Sequence, residues 1–308
     1  MARLYKFLLL PCFLVLLCGR CPGAGFFSYD FDLRYGYSET TGSGLNLEAA
    51  GLTARKIFPD KNGDRVVLFG FLDIMDNFSE IMLDQAYVLY KGPLGKWNIT
   101  LGRYRLPFGL MKDYETKRIL IKTAELDTVG MDSDNGIMVN GYRGNFDYSV
   151  AASQGVGTGR WDDRGDGALF TARLGLGQDS GEQALGLSGI IGSVFTQSAL
   201  YKKLISVDFT KYAGLAIWRL EAVLGNEEDR PLVSMFLGSN YALSSKAELN
   251  FAYRHFYNGL ADRVNSLCSG ITLSSWGFQF RAALKYFFTG GDGNEISLQV
   301  YRKFNINI

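Results

Sequence analysis

The feature that most constrains the fold is an alternation of apolar and polar residues that recurs along most of the chain. In the first such segment, the odd-numbered residues from 27 to 37 are aromatic or leucine, and the even-numbered residues are serine, aspartate, arginine or glycine. Successive side chains of a β-strand point to opposite sides, so this pattern predicts strands with one apolar and one polar face. Similar segments lie near residues 86–90, 146–152, 168–174, 216–224, 247–254 and 278–286.

These segments favour a barrel that crosses a membrane. A tilted strand needs roughly 9–11 residues to span a bilayer, and many of the segments have about that length. Aromatic residues make up 14% of the chain, as the girdles of a membrane barrel require. After the N-terminal apolar run no long apolar stretch occurs, which excludes a helical membrane protein. The sequence therefore predicts an all-β fold, a transmembrane antiparallel β-barrel.

The pattern predicts about sixteen strands. Their expected ranges are 26–37, 45–58, 65–75, 80–91, 95–105, 134–143, 145–154, 167–177, 183–194, 202–211, 213–225, 230–241, 246–257, 266–275, 276–288 and 295–307. Three of these ranges, 45–58, 183–194 and 266–275, alternate weakly, so fourteen strands is the alternative count. Few prolines interrupt the pattern, which suits long hydrogen-bonded ladders because proline cannot donate to them.

The connections between the predicted strands fall into two sets. Short connections at 92–94, 144, 212 and 275–276 alternate with longer ones at 106–133, 155–166, 258–265 and 289–294. Membrane barrels have short periplasmic turns on one rim and longer external loops on the other. We therefore expect the short set on the periplasmic rim, together with both termini.

The longest connection, 106–133, follows strand five. A barrel of this size has a lumen too wide to fill with strand side chains alone. We expect this loop to fold inward as a constriction, with Lys112, Lys117, Arg118 and Lys122 as its basic residues. The alternative is an ordinary loop at the surface.

Residues 1–24 are predicted to be a secretory signal peptide, and residues 25–308 the outer-membrane β-barrel. Arg3 and Lys6 form a positive start, an apolar run follows, and small residues precede a cleavage site after Ala24 or Gly25. Beyond this segment the chain has one cysteine, Cys268, so an internal disulfide is excluded. Removal of Arg3, Lys6 and Arg20 would lower the formal charge from +1 to −2. A chain with this charge lacks the excess of basic residues that binding to nucleic acid requires.

Basic residues on the polar faces of the strands are the candidates for the pore lining. A charged side chain facing lipid would cost ~2–4 kcal/mol at the midplane, so these residues are expected to face the lumen. They are Arg34, Arg103, Arg105, Arg173, Arg219, Arg254, Arg281 and Lys285. Arg103 and Arg105 share parity with residues that read as lipid-facing, and a bulge near Gly102 is predicted to turn both inward.

No motif indicates an enzyme, a metal site or a cofactor. His255 is the single histidine and no serine motif accompanies it, so we predict no catalytic residue. The run SQGVGTGR at 153–160 lacks the ending of a phosphate-binding loop, and we expect a flexible external loop there. The run WDDRGDG at 161–167 lacks the closing glutamate of a calcium loop.

The stretch 83–110, LDQAYVLYKGPLGKWNITLGRYRLPFGL, resembles the phosphate/pyrophosphate-selective porin O and P family. The similarity centres on a Gly-x-aromatic-basic-x-Pro-Phe-Gly box at 102–109, and 134–142 and 153–176 resemble the next hairpin of that family. This resemblance implies a sixteen-stranded, often trimeric channel with an anion preference in some members. The chain departs from the family in its shortness and in ending on Ile308 where an aromatic residue is usual. Substrate choice does not carry over.

Together these observations predict an outer-membrane porin, a passive diffusion channel for small hydrophilic solutes, with phosphate or other anions as preferred solutes. Its expected partners are outer-membrane lipid, those solutes and two further copies of itself in a homotrimer. Two alternatives remain at this point: a non-conducting structural or adhesin-type barrel whose lumen is plugged by 106–133, and an outer-membrane enzyme.

Overall fold

A computed structural model describes residues 24–61, 63–75, 77, 79–112, 120–121, 128–157, 167–177, 182–195, 199–259, 263–290 and 293–307 of the chain. The strands are β1 Ala24–Ser38, β2 Gly42–Asp60, β3 Gly63–Met75, β4 Glu80–Lys91, β5 Asn98–Arg105, β6 Ser133–Arg143, β7 Phe146–Ser153, β8 Leu169–Leu176, β9 Gln183–Phe195, β10 Ala199–Ala213, β11 Ala216–Glu227, β12 Arg230–Ser244, β13 Ala247–Tyr257, β14 Val264–Ser275, β15 Phe278–Thr289 and β16 Glu295–Asn307. Pro93–Gly95 and Gly109–Lys112 form short 3-10 helices. Among the described residues no helix has the length and apolar character needed to cross a membrane.

The strands form one closed antiparallel barrel in which each strand pairs with its neighbours in the chain and β16 returns to pair with β1. This confirms the predicted sixteen strands, including the three that alternate weakly. Closure gives a hydrogen-bonding neighbour to both edges of every strand, and this arrangement is one of two that satisfy the backbone in hydrocarbon.

The two rims of the barrel differ. The rim that holds Ala24 and Asn307, called the terminal rim below, has short connections such as 144–145, 214–215 and 276–277. The opposite rim, called the distal rim, has the connections 106–132 and 154–168. The predicted division into short and long sets is therefore observed, although the distal rim also has short turns such as 228–229.

The outer face of the barrel is apolar. Its middle consists of aliphatic side chains that are about half exposed, among them Val150 at 59%, Leu174 at 58% and Ile205 at 61%. Exposed aromatic side chains are concentrated toward the two rims. Those toward the terminal rim include Trp97, Tyr142, Phe146, Tyr212, Trp218, Tyr241 and Trp276, and those toward the distal rim include Tyr35, Tyr37, Phe170, Tyr201, Tyr253, Tyr286 and Phe288. Two aromatic bands around an aliphatic zone are typical of a barrel in a bilayer.

Candidate functional site: the barrel lumen

The connection after β5 turns into the lumen. Its first described part, residues 106–112, is called the lumen segment below. The backbone N–H of Gly109 donates to Ser188 Oγ of β9 at 2.9 Å, and the N–H of Leu110 donates to Glu221 Oε1 of β11 at 3.3 Å. Arg173 Nε of β8 donates to the carbonyl oxygen of Gly109 at 3.4 Å. The lumen segment therefore forms hydrogen bonds with three strands of the inner wall.

Arg173 itself is held by two carboxylates. Its Nη2 atom lies 2.7 Å from Asp208 Oδ1, and its Nη1 atom lies 3.7 Å from Asp147 Oδ2. Gly175 and Gly186, which lie directly opposite each other on β8 and β9, leave space for these groups. A Cβ atom on Gly186 would fall 2.2 Å from both Arg173 Nη2 and Asp208 Oδ2. Glycine at these two inner positions therefore allows the guanidinium to lie along the wall.

An apolar cluster fixes the rest of the lumen segment near the distal rim. Leu106 and Phe108 are fully buried, and Val129 and Met131 from the end of the same connection are buried beside them. The wall contributes buried aliphatic residues from five neighbouring strands. They are Leu169, Ile190, Val194, Leu204, Val223 and Leu232. Burial of a large apolar side chain contributes about 1.5–3 kcal/mol, so this cluster holds the connection against the wall.

This cluster differs from the prediction that the inner face is polar. The aliphatic residues lie on the inner face at the distal ends of their strands, where the connection covers them. A second, smaller cluster joins Leu110 to Phe236, Ala252, Cys268 and Ala283 on β12–β15, with Leu120 and Ile121 packed against it. The connection therefore touches the inner wall over β8–β15.

Charged side chains secure the ends of the two long connections. Lys202 Nζ donates to the carbonyl oxygen of Thr128 at 2.6 Å and lies 2.7 Å from Glu227 Oε2. The carboxylate of Asp134 accepts from the N–H groups of residues 155, 156 and 157 at 2.5, 3.1 and 3.2 Å. The first residues of the glycine-rich run, predicted to be flexible, are thus bound by a carboxylate, while residues 158–160 lie outside the described part of the chain.

A row of polar residues also follows the inner wall. Its members lie directly opposite one another across six neighbouring strands, β13 to β16, β1 and β2. They are Glu248, Thr272, Arg281, Gln299, Arg34 and Asn46. Arg281 Nη1 donates to Gln299 Oε1 at 2.9 Å. Directly opposite side chains on one face have Cβ atoms about 4.5–5.5 Å apart, so the row is a continuous polar strip.

Carboxylates and amides accompany the arginines of this strip. Arg34 lies 2.6 Å from Asp32 Oδ2 and 3.3 Å from Glu48 Oε1. Next to the strip, Arg219 Nη1 on β11 donates to Asn240 Oδ1 at 2.5 Å, and Asn240 Nδ2 donates to Glu248 Oε1 of the strip at 2.7 Å. The strip therefore carries both signs of charge.

A cavity of about 240 Å³ lies beside this strip. Leu120 and Ile121 of the long connection form part of its lining, and Arg219, Glu248 and Arg281 form part of the wall opposite. The predicted pore-lining residues Arg219 and Arg281 thus share one cavity on the inner face. A polar wall opposite an aliphatic one is suited to small solutes that carry hydrogen-bonding groups.

The other predicted pore-lining residues have different environments. Lys285 Nζ lies 3.4 Å from Glu295 Oε2, and Arg254 is half-buried on the inner face between the positions of Phe236 and Ser266. Arg173 is 2% exposed, because it is enclosed between the wall and the lumen segment. It therefore does not line open space in the pore, contrary to the prediction from the sequence.

The prediction of a bulge near Gly102 was wrong. In the described pairs of β5 with β4 and β6 the register runs without a shift, although Gly102 has a φ of +118°. Arg103 is 1% exposed and donates to Asn135 Oδ1 at 3.1 Å and to the carbonyl oxygen of Leu83 at 2.9 Å. Arg105 is half-buried at the end of β5. Arg103 is thus bound to the wall and not presented to open space.

The basic residues predicted for the constriction fall mostly outside the described part. This holds for Lys117, Arg118, Lys122 and the side chain of Lys112, so their role stays a prediction. The same is true of Asp162, Asp163 and Asp166 in the loosely calcium-like run. Among the described residues no group of His, Cys, Asp and Glu side chains has the arrangement of a metal site.

The single histidine lies at the distal end of β13. His255 Nδ1 and Asn265 Oδ1 are 2.8 Å apart, and Tyr253 Oη donates to the same oxygen at 2.9 Å. Ser234 Oγ donates to the backbone oxygen of His255, not to its ring, at 3.2 Å. These contacts form a polar network between strands and do not pair a serine nucleophile with an imidazole base.

The closed antiparallel barrel of sixteen strands matches the fold of solved outer-membrane porins. OmpT of Vibrio cholerae in its trimer form superposes with a TM-score of 0.70 at 13% identity, over 92% of this chain and 100% of that one. The anion-selective porin from Comamonas acidovorans gives 0.67 at 12% identity, over 92% and 99%. OmpF of Salmonella typhi in complex with daunomycin gives 0.70 at 10% identity, over 91% and 97%. No family model matches the chain, and no curated protein matches its sequence.

Proposed function

We propose that this protein is an outer-membrane channel through which small hydrophilic solutes diffuse passively, and that the connection 106–132 narrows its lumen. The observation that carries this proposal is the pair of attachments at Gly109 and Leu110, which hold a loop inside a closed barrel beside a polar strip. A loop held in this way leaves one side of the lumen polar, as a filter for solutes requires. The apolar outer face with its two aromatic bands supports placement in a bilayer.

Conductance in a planar lipid bilayer tests this function. The purified protein is expected to give discrete current steps in potassium chloride. Glu221→Gln weakens the hold on Leu110, so its steps are expected to be larger or noisier than those of the natural protein. Lys203→Gln, on the outer face of β10, is the matched control and leaves the steps unchanged. Folded protein that inserts and never conducts would favour the non-conducting barrel instead.

Solute selection is proposed to depend on Arg219 and Arg281, which line the same cavity. With Glu248 as the acidic member of that lining, the balance favours a mild preference for anions such as chloride or phosphate. The reversal potential under a salt gradient measures this preference. Arg219→Gln and Arg281→Gln together are expected to shift it toward cations, and a cation preference in the natural protein would refute the proposal.

The remaining assignments rest on the same proposal. Residues 1–24 direct export and are removed, the barrel is located in the outer membrane, and it assembles as a homotrimer like the trimer form of the similar Vibrio cholerae protein. Membership of the phosphate-selective O and P family is supported by the box at 102–109. Comparing unheated and heated samples on a gel tests barrel and oligomer together, because a closed barrel and a stable trimer both migrate differently before heating.

A further inference from the structure

Arg302 is a cation on the apolar outer face of the barrel. It shares the parity of Ile296, Leu298 and Ile306, which are 45–47% exposed on that face. In the ladders it lies directly between Phe31 of β1 and Phe278 of β15. Phe278 is the first residue of β15 after the turn 276–277, so Arg302 lies beside this turn of the terminal rim, although β16 itself continues to Asn307.

Two aromatic rings hold the guanidinium of Arg302. Its Cζ atom lies 4.3 Å from the ring centroid of Phe278 and 4.3 Å from that of Phe304. Each contact is a cation–π interaction, which leaves the N–H donors in the plane of the guanidinium available. Among the described residues no carboxylate lies within ion-pair distance of Arg302.

The surroundings of Arg302 match a membrane–water boundary. Trp276, in the neighbouring turn, is 87% exposed, and tryptophan is enriched at the headgroup level of membranes. A Cβ atom on Gly277 would lie 3.8 Å from Arg302 Nε, so the guanidinium reaches this turn. Arginine presents a planar set of donors that matches a phosphate group.

We propose that Arg302, clamped by Phe278 and Phe304, binds the phosphate group of a phospholipid in the leaflet at the terminal rim. The inference rests on the proposed membrane location, but not on conduction. A charge on a lipid-facing surface is costly without a counter-ion, and a phospholipid phosphate is the anion available at this depth. The rings keep the guanidinium at the surface and oriented toward that anion.

Native mass spectrometry of the detergent-solubilised full chain tests this site. The probe is dihexanoyl phosphatidylglycerol, compared with dihexanoylglycerol, which lacks the phosphate, and with inorganic phosphate. The natural protein is expected to retain the phospholipid in preference to the other two. Arg302→Gln is expected to weaken retention roughly tenfold, as for the loss of one charge-assisted hydrogen bond.

Lys303→Gln is the matched control, because Lys303 is the next residue and faces the opposite side of the strand. It is expected to retain the lipid normally. Equal retention by Arg302→Gln, or equal binding of dihexanoylglycerol and phospholipid by the natural protein, would overturn the proposal. The second comparison needs no variant, so it decides the matter even if Arg302→Gln does not fold. Dissociation of an oligomer in Arg302→Gln, with lipid retention unchanged, would assign the guanidinium to a second copy of the chain instead.

Discussion

Gly109 and Glu221 approach each other so closely that a Cβ atom on the glycine would lie 1.7 Å from Glu221 Oε1. The glycine also has a φ of +53°, in the left-handed region. The attachment of the lumen segment therefore depends on the absence of a side chain at this position.

Gly109→Ala is expected to detach the lumen segment from β11. The substitution combines a clash with an unfavourable φ, and should cost about 1–3 kcal/mol of stability. We expect a lower urea midpoint and altered single-channel conductance. Gly36→Ala is the control, because a Cβ atom there meets nothing within 4 Å. An unchanged conductance in Gly109→Ala would show that this attachment does not shape the channel.

Arg173→Met should be strongly destabilising. Its partner Asp208 would lose the guanidinium charge beside it at a buried site, since the two side chains are 1% and 3% exposed. Breaking such a buried pair costs about 3–5 kcal/mol. The free energy of unfolding in urea measures the loss. Lys285→Met, whose ion pair with Glu295 is much more exposed, should change stability by about 1 kcal/mol or less. Similar losses in both variants would contradict this ranking.

Glu39 should make the distal rim sensitive to acid. Its carboxylate accepts hydrogen bonds from the backbone and side-chain nitrogens of Asn294 at 3.1 and 3.0 Å, and these bonds lower its pKa. A lowered pKa in the folded state means that the stabilisation is present above pH 4.5 and is lost as the pH falls through the folded pKa.

The unfolding midpoint, measured at pH values above and below 4.5, checks the Glu39 prediction. Above pH 4.5 the unfolding midpoint of the natural protein should be higher than that of Glu39→Gln, and the difference between the two midpoints should disappear in stronger acid. Glu80→Gln, on the same rim, is the control. A constant difference at all pH values would exclude the carboxylate as the cause.

A charge on the outer face should be tolerated far less than one on the inner face. Leu220→Arg, near the middle of β11, should cost roughly 2–4 kcal/mol on folding into lipid vesicles. Thr53→Lys, whose side chain lines an inner cavity of about 310 Å³, should cost much less. The yield of folded barrel in vesicles measures both. The opposite order would mean that the faces are assigned the wrong way round.

The strands were predictable from the sequence because alternation is a local property. Each strand shows its two faces within about ten residues, and even the weak segments 183–194 and 266–275 lie in the ladder as β9 and β14. The predicted starts and ends differ from the observed ones by a few residues. The order of the strands around the closed barrel was then also predictable, because each strand pairs with the next one in the chain.

The interior of the barrel was less predictable, because it depends on contacts between distant residues. Leu204 and Val223 share parity with Asp208 and Glu221, so period two alone assigned a polar face to all of them. The available signal was their position, at the strand ends nearest the longest connection. Arg173 differs in the same way from an open lining residue, because the groups that enclose it, Asp208 and Gly109, are far from it in the sequence.

The pairing of Phe26 with Asn307 joins the first and last strands. Until β16 reaches β1, each of these strands has one edge of unsatisfied backbone groups, which hydrocarbon tolerates poorly. The final hydrogen-bonded contact also spans almost the whole described chain, so it is among the slowest to form. Insertion into a bilayer must therefore be coupled to sealing of the ring, and a chain stalled before that step presents two adhesive edges to its neighbours.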